Sequence, residues 1–275
     1  MARLFLRDDL ARAWGPDRVF ERVLALQGDV YRAVADRRTL RIEVAGRAYF
    51  VKVHTGAGWG EIAKNLLTGR LPVVGARNEY AACRHLEQAG VPAPTVAAFG
   101  ERGWNPARRL SFVVCDALLG RDSLETLTER WDDRPPDGLE RRRLVMAVAA
   151  FVGRLHRAGV VHRDLYICHL LADRAAYAAG RVDLAVLDLH RAQIHAKIPR
   201  RWLRRDLAAL LYSVLDLPLS RRDWLRFVRA YRGRPLPAIW QDEGAFWNDV
   251  YDRARALYRK GLRKGLVSGR FDAAD

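Results

Sequence analysis

Two carboxylates and one lysine stand where this sequence could do chemistry. Asp164 lies in the run VVHRDLYICHLL, behind the apolar pair Val160 and Val161, and His169 follows it five positions on. Asp188 comes directly after Leu184–Leu187, a short apolar run that reads as a strand. One carboxylate to orient a hydroxyl and take its proton, a ligand-type side chain five residues later, and a carboxylate at a strand end are parts that phosphoryl transfer needs. That reaction is mostly positioning and charge neutralisation. The carboxylate at the strand end could hold a hard cation such as Mg2+. Lys52 sits in the strand-like YFVKV with apolar neighbours. A lysine in a buried-looking strand needs a counter-charge. Glu79 is its natural partner and Glu61 a rival, and a lysine held in this way could reach nucleotide phosphates.

The surrounding elements must position these groups. Residues 1–27 alternate charged and apolar side chains and read as a helix broken at Gly15-Pro16. Strands are expected over Val30–Val34, Thr39–Val44, Ala48–His54, Val96–Phe99 and Leu110–Cys115. TGAGWG, at 55–60, reads as a flexible loop before a short helix, Glu61–Leu67. Asn78 is a plausible cap for a helix through Glu87, which would carry Glu79. Beyond Asp122-Ser123 the chain turns mostly helical. Arg141–Ala158 has an amphipathic pattern and ends at Gly159, and helical periodicity returns over Arg204–Leu215, Arg221–Tyr231 and Gly244–Leu262. The expected class is α+β: a small β-rich N-lobe over 1–116 and a larger helical C-lobe over 117–275.

A chain of 275 residues suits one bilobal domain or two small ones, and 50% hydrophobic residues argue against global disorder. The net charge of +16 implies an anionic partner, whether nucleotide, phosphorylated lipid, anionic membrane face, acidic protein or nucleic acid. Nucleic acid is not expected, because no nucleic-acid module or regular aromatic interleaving of charges is present. Cys83, Cys115 and Cys168 form no CxxC or Cys/His zinc pattern, which fits a reduced cytoplasmic chain. The N-terminus lacks an apolar h-region and no run nears the roughly 18 apolar residues of a membrane span. Neither a signal peptide nor a spanning helix is expected.

His162-Arg163-Asp164 with His169 resembles the protein-kinase catalytic loop H-R-D-L-x-x-x-N, with Asp164 as the base and His169 where asparagine stands. His169 could contact metal or phosphate, or brace the loop. Asp188-Leu189-His190 resembles the magnesium-holding D-F-G with both following residues changed, and YFVKV resembles V-A-I-K. Asp206 either braces the catalytic loop through its backbone amides, as the resemblance implies, or is a helix-N-terminal aspartate gaining from the dipole. No G-x-G-x-x-G precedes Lys52. Arg37 and Arg38, in a turn expected over 35–39, could replace glycine amides at the phosphates. Only 17 residues separate Asp188 from Asp206, and no A-P-E appears, which favours a small-molecule or glycan acceptor over a peptide.

HTGAGWGEIAKNLL, ERGWNPARR, HRDLYICHLL and LDLHRAQ together resemble the lipopolysaccharide core heptose(I) kinase family. The resemblance implies a kinase-like fold and ATP with Mg2+ as cofactors. It also implies phosphorylation of the first inner-core heptose at its 4-hydroxyl, on the cytoplasmic face of the inner membrane. The acceptor would be an anionic glycolipid, the heptosylated lipid A-core. Arg108, Arg109, Arg191 and arginines of the 200–205 run could line a basic cleft for it. Trp59 and Trp104 either stack on a sugar ring or pack half-buried. Seven basic residues from Arg253 to Arg270 could rest on anionic lipid, form a solvated helix, or meet an acidic acyl carrier protein. The rival readings are a kinase of another acceptor and a non-catalytic basic scaffold with a kinase-like fold.

Overall fold

The structure is a computed structural model that describes residues 2–34, 36–67 and 75–273. The chain divides into two compact units. The first comprises Met1–Gln88, Ala93–Leu119 and Asp188–Ala192; the second comprises Ala89–Pro92, Gly120–Leu187 and Gln193–Asp275.

The first unit contains β1 (Arg3–Leu6), α1 (Asp8–Trp14), α2 (Val19–Ala25), β2 (Asp29–Val34), β3 (Arg37–Val44), β4 (Arg47–His54), α3 (Gly58–Leu67), α4 (Arg77–Gln88), β5 (Val96–Arg102) and β6 (Leu110–Asp116). The six strands form one antiparallel sheet in the order β1-β5-β6-β4-β3-β2. Because side chains alternate along a strand, Tyr49, Val51 and Val53 of β4 turn to one face. There they pack with Leu40, Ile42, Phe112 and Val114 under Leu10, Trp14, Phe20 and Val23 of α1 and α2. Phe50, Lys52 and His54 turn to the other face. α4 lies on that side, with Tyr80 stacked on Phe99 at 4.2 Å between ring centroids.

The first turn of chain differs from the expected helix. Arg3–Leu6 is a strand paired with β5, with Leu6 opposite Ala98. Four alternating residues fit either period, and the open edge of β5 decides between them. Arg7 then anchors the corner, donating to both Asp9 and Asp116. Asp9 also accepts from Tyr49 Oη at 2.9 Å.

The second unit contains β7 (Arg121–Ser123), α5 (Leu124–Thr128), α6 (Gly138–Arg157), β8 (Val160–Val161), β9 (Leu170–Asp173), α7 (Arg174–Ala178), β10 (Leu184–Val186), β11 (Gln193–Ile194), α8 (Arg200–Tyr212), α9 (Arg221–Arg232) and α10 (Leu236–Leu262). Helix starts follow cap chemistry. Asp137 accepts from Leu139 N and Glu140 N to open α6, and Ser220 with Asp223 forms a capping box on α9. α10 begins at Leu236, before the expected Gly244. Pro237 is compatible with a first helical turn, and Ile239 is buried there. Two small antiparallel ladders, β10-β9-β7 and β11-β8, frame the segment between α6 and α8. The architecture is therefore the expected α+β, with strands dominating the N-terminal unit and helices the C-terminal one.

Candidate active site

In the first unit β4 and α4 present an ion-paired cluster. Lys52 Nζ donates to Glu79 Oε1 at 2.7 Å and to Asp188 Oδ1 at 2.9 Å. Glu79 is 3% exposed, so its charge is offset inside the fold rather than by water. Burial by itself would lower the Lys52 ammonium, but the two carboxylates outweigh it and hold the group above the ordinary lysine range. Burial likewise opposes ionisation of Asp188. A hydrogen bond from His190 and the charge of Lys52 outweigh it, and Asp188 stays well below the usual carboxylate range. His190 Nδ1 donates to Asp188 Oδ1 at 2.8 Å. Asp188 adopts φ 61°, a left-handed backbone that a non-glycine residue seldom takes and that recurs at functional loops. The side chain of Glu61, the rival for Lys52, lies outside the described residues.

The expected turn at 35–39 is partly strand, because β3 begins at Arg37. Ladder pairing sets Arg37 opposite His54 and Thr39 opposite Lys52, so alternation places Arg37 on the face of Lys52. Arg38 falls on the opposite face and donates from Nη2 to Leu24 O at 3.0 Å, away from the cluster. His54 is 4% exposed. Burial, then the charges of Arg37, His190 and Lys52, push it down to about 3, so the ring is neutral. Its Nε2 and Arg37 Nε are buried with no hydrogen-bond partner among the described residues.

In the second unit the segment after β8 is held at several points. Asp206, inside α8, is fully buried and accepts from His162 N at 2.7 Å and Arg163 N at 2.8 Å. It is the seventh residue of its helix, not the first, and its bonds are those of the bracing role. Behind it, His156 Nε2 contacts Asp206 Oδ2 at 3.3 Å and Nδ1 meets Tyr231 Oη at 2.8 Å. With Nε2 donating to the carboxylate, Nδ1 accepts from the phenol. His162 Nε2 donates to Leu187 O, and its Nδ1 accepts from Asp164 N. His169 Nδ1 donates to the Asp164 carbonyl at 2.8 Å, and its ring stacks on His162 at 5.5 Å. Nδ1 of His169 is therefore engaged on the loop backbone. Arg163, next to Asp164, has φ 71°.

His190, His54, His156 and Tyr231 were not singled out by the residue pattern. His190 alone carried a local signal, standing two positions after a candidate metal carboxylate. Trp59 and Trp104 are 61% and 88% exposed, so the half-buried packing reading does not hold. The basic C-terminal segment continues α10 and is tied back at Arg270, which pairs with Asp132.

The second unit also holds a cavity of about 1360 Å3, lined by Trp131, Leu144, Leu211, Leu225 and Trp240 among others. Among the described residues no helix is long and apolar enough to cross a membrane.

A family model described as the lipopolysaccharide kinase (Kdo/WaaP) family matches residues 21–231. The chain is 51% identical to the lipopolysaccharide core heptose(I) kinase WaaP of Pseudomonas aeruginosa, over 96% of this chain and 98% of the relative. It is 41% identical to the protein of the same description from Escherichia coli K12, over 95% and 99%. A solved structure described as WaaP in complex with acyl carrier protein superposes with a TM-score of 0.81 at 46% identity, covering 93% of this chain and 99% of that one. The chain belongs to the lipopolysaccharide kinase (Kdo/WaaP) family.

Proposed function

We propose that this chain transfers the γ-phosphate of ATP to the 4-hydroxyl of the first heptose of the lipopolysaccharide inner core. The observation that carries the reading is the cluster of Lys52 with Glu79 and Asp188, because it answers the requirement of phosphoryl transfer for a fixed cation beside a fixed carboxylate. Lys52 would hold the ATP phosphates, oriented by Glu79. Arg37 would add a fork on the same sheet face, where Arg37 Nε and His54 Nε2 are buried atoms that a phosphate oxygen would satisfy. Arg38 is left out of this role because its guanidinium is engaged on the other face.

Among the described residues no cluster of three His, Cys, Asp or Glu side chains could hold a metal alone. Mg2+ in nucleotide sites commonly takes one or two carboxylates and fills its shell with phosphate oxygens and water. Asp188 fits that demand, being ionised and a hard oxygen donor. The imidazole of His169 fits it less well, and its Nδ1 is spent on the Asp164 carbonyl. Bound there, Mg2+ would neutralise charge on the phosphates.

Asp164 orients the heptose hydroxyl and accepts its proton. Asp206 fixes the amides of His162 and Arg163, and so the carboxylate that follows them. The acceptor is anchored in the inner membrane, so the enzyme would work as a peripheral protein at the cytoplasmic face. An acyl carrier protein is a fitting partner. The net charge of +16 suits an acidic protein, and the apolar cavity of the helical unit would take an acyl chain.

The test is transfer of labelled γ-phosphate from Mg-ATP to heptose-bearing, unphosphorylated core glycolipid, with Asp164→Ala alongside. Label in the heptose, absent with the variant while ATP still binds, is expected. Label in added peptide or aminoglycoside at equal rates would defeat the acceptor. Retained turnover in Asp164→Ala would defeat the base.

A further inference from the structure

Three guanidinium groups crowd one indole beside the catalytic loop. Arg163, Arg205 and Arg201 lie 5.2, 4.7 and 5.8 Å from the ring centroid of Trp202. Arg163 immediately precedes Asp164, and Arg205 precedes Asp206, whose carboxylate holds the amides of His162 and Arg163. The positive charge continues behind them. Burial, then the charges of Arg205 and Arg204, lower Arg253 below the usual arginine range. Arg204 Nε and Arg253 Nε are buried without a hydrogen-bond partner among the described residues.

Arg204 pairs with Asp249 at 3.2 Å, and that carboxylate is 59% exposed. Arg201 and Arg205 form no ion pair with any described residue, and both lie over the indole of Trp202. Arg201 and Arg205 are exposed, so an anion arriving from solvent can be met by both guanidiniums at once. Stacking on one ring also fixes the planes of the forks, so less order is lost when a planar acid is bound. The chemistry favoured is a carboxylate or phosphate taken by two or more N–H forks.

We propose that Arg201 and Arg205, stacked on Trp202 beside Arg163, form the site that recognises an acidic group of the acceptor next to the hydroxyl being phosphorylated. The inference rests on the kinase reading above and names how its acceptor is chosen. Three features favour the acceptor as the source of the anion. The cluster adjoins Asp164 in sequence, it shares the Asp206 brace, and the proposed ATP phosphates have their own cations in Lys52 and Arg37.

The experiment is steady-state kinetics of the full chain. It compares wild type, Arg201→Gln/Arg205→Gln and Arg201→Lys/Arg205→Lys, on core glycolipid with its acid groups intact and with them esterified or removed. Binding of the intact glycolipid without ATP is titrated in parallel. Charge-assisted hydrogen bonds of this kind are strong enough that KM for the intact acceptor should rise about tenfold or more in the Gln pair. kcat and KM for ATP should hold. The gap between wild type and variant should close on the neutralised acceptor, and the Lys pair should fall between.

An unchanged acceptor KM overturns the proposal. So does a rise confined to ATP, which assigns the cluster to nucleotide phosphates, or an equal loss on the neutralised acceptor. Intact kinetics with lost binding of acyl carrier protein overturns it too, by making the cluster a docking patch. If wild type binds the glycolipid but transfers nothing, the kinase reading fails, and the binding titration of the Gln pair still decides the site.

Discussion

The Lys52 ammonium is shared between two carboxylates, and the role proposed for Glu79 is to position it. Removing the charge of Glu79 leaves Lys52 with Asp188 Oδ1 alone, at 2.9 Å. The ammonium would then be drawn toward Asp188, the carboxylate proposed to hold magnesium. Glu79→Gln keeps the size and one hydrogen bond but drops the charge, so ATP should bind less well in the productive pose. kcat/KM for ATP is expected to fall roughly 10²-fold, the usual penalty for small displacement of a reacting group. KM for the glycolipid should stay level. Kinetics at saturating acceptor check this, and an unchanged kcat/KM for ATP would show that Asp188 alone suffices. This pairing was legible in the sequence because a lysine among apolar residues in a strand must find a carboxylate. Arg38 was misread because a turn was expected where β3 begins. One position of alternation separates it from Arg37 and sends it to α2. His190 is not legible in the residue pattern, because Leu189 and His190 differ from the phenylalanine and glycine of D-F-G and nothing in that motif calls for an imidazole. The contact with Oδ1 depends on the left-handed turn at Asp188, which no spacing reveals.

At the level of elements, the proposed catalytic loop depends on how α6 hands over to β8. Gly159 makes that turn at φ 79°, and a Cβ there would run into the His195 carbonyl, whose residue donates back to Gly159 O at 2.8 Å. Gly233, at the end of α9, has a similar φ of 66° with open space around it. An L side chain in the left-handed region costs about 1–2 kcal/mol in either place. Only at Gly159 must the β8–β11 pair also shift, three residues before His162. Gly159→Ala should therefore lose more stability than Gly233→Ala in denaturant titrations and should lower kcat, while Gly233→Ala leaves kcat alone. Equal effects would mean that the turn merely tolerates glycine. The elements around this loop were largely readable: the apolar pair Val160-Val161 stands at β8, the apolar run Leu184–Leu187 marked β10, and Gly159 marked the end of α6. β1 was not readable, since four alternating residues suit a helix or an edge strand and only pairing with β5 decides. The start of α10 was hidden for a related reason. Pro237 resembles a breaker in the sequence, yet a proline is welcome in a first turn.

For the molecule as a whole, charge and apolar volume make separate demands on a partner. The +16 charge is long-ranged, screened by salt and indifferent to what an acidic partner carries. The cavity of about 1360 Å3 in the helical unit is lined mainly by apolar side chains, with Asp132, Asp216 and Arg221 among the charged ones, and its contribution is short-ranged. It was invisible in the sequence because Leu144, Leu211 and Leu225 have the periodicity of ordinary core positions. An acyl carrier protein would meet both demands, and the two can be separated. Burial of each methylene is worth about 0.8 kcal/mol, or about fourfold in affinity. Binding to this chain should therefore tighten about fourfold per methylene as the acyl chain of the carrier lengthens, until the cavity is full, and then level off. Raising ionic strength should weaken all members of the series by a similar factor, because the charge contribution does not depend on the chain. Leu225→Arg places a cation in the lining and should abolish the dependence on chain length while leaving the salt dependence in place. Calorimetric titration with carriers of increasing acyl length, at two salt concentrations, reads both contributions. Affinity independent of acyl length would remove the cavity from the interface and leave charge alone to hold the partner.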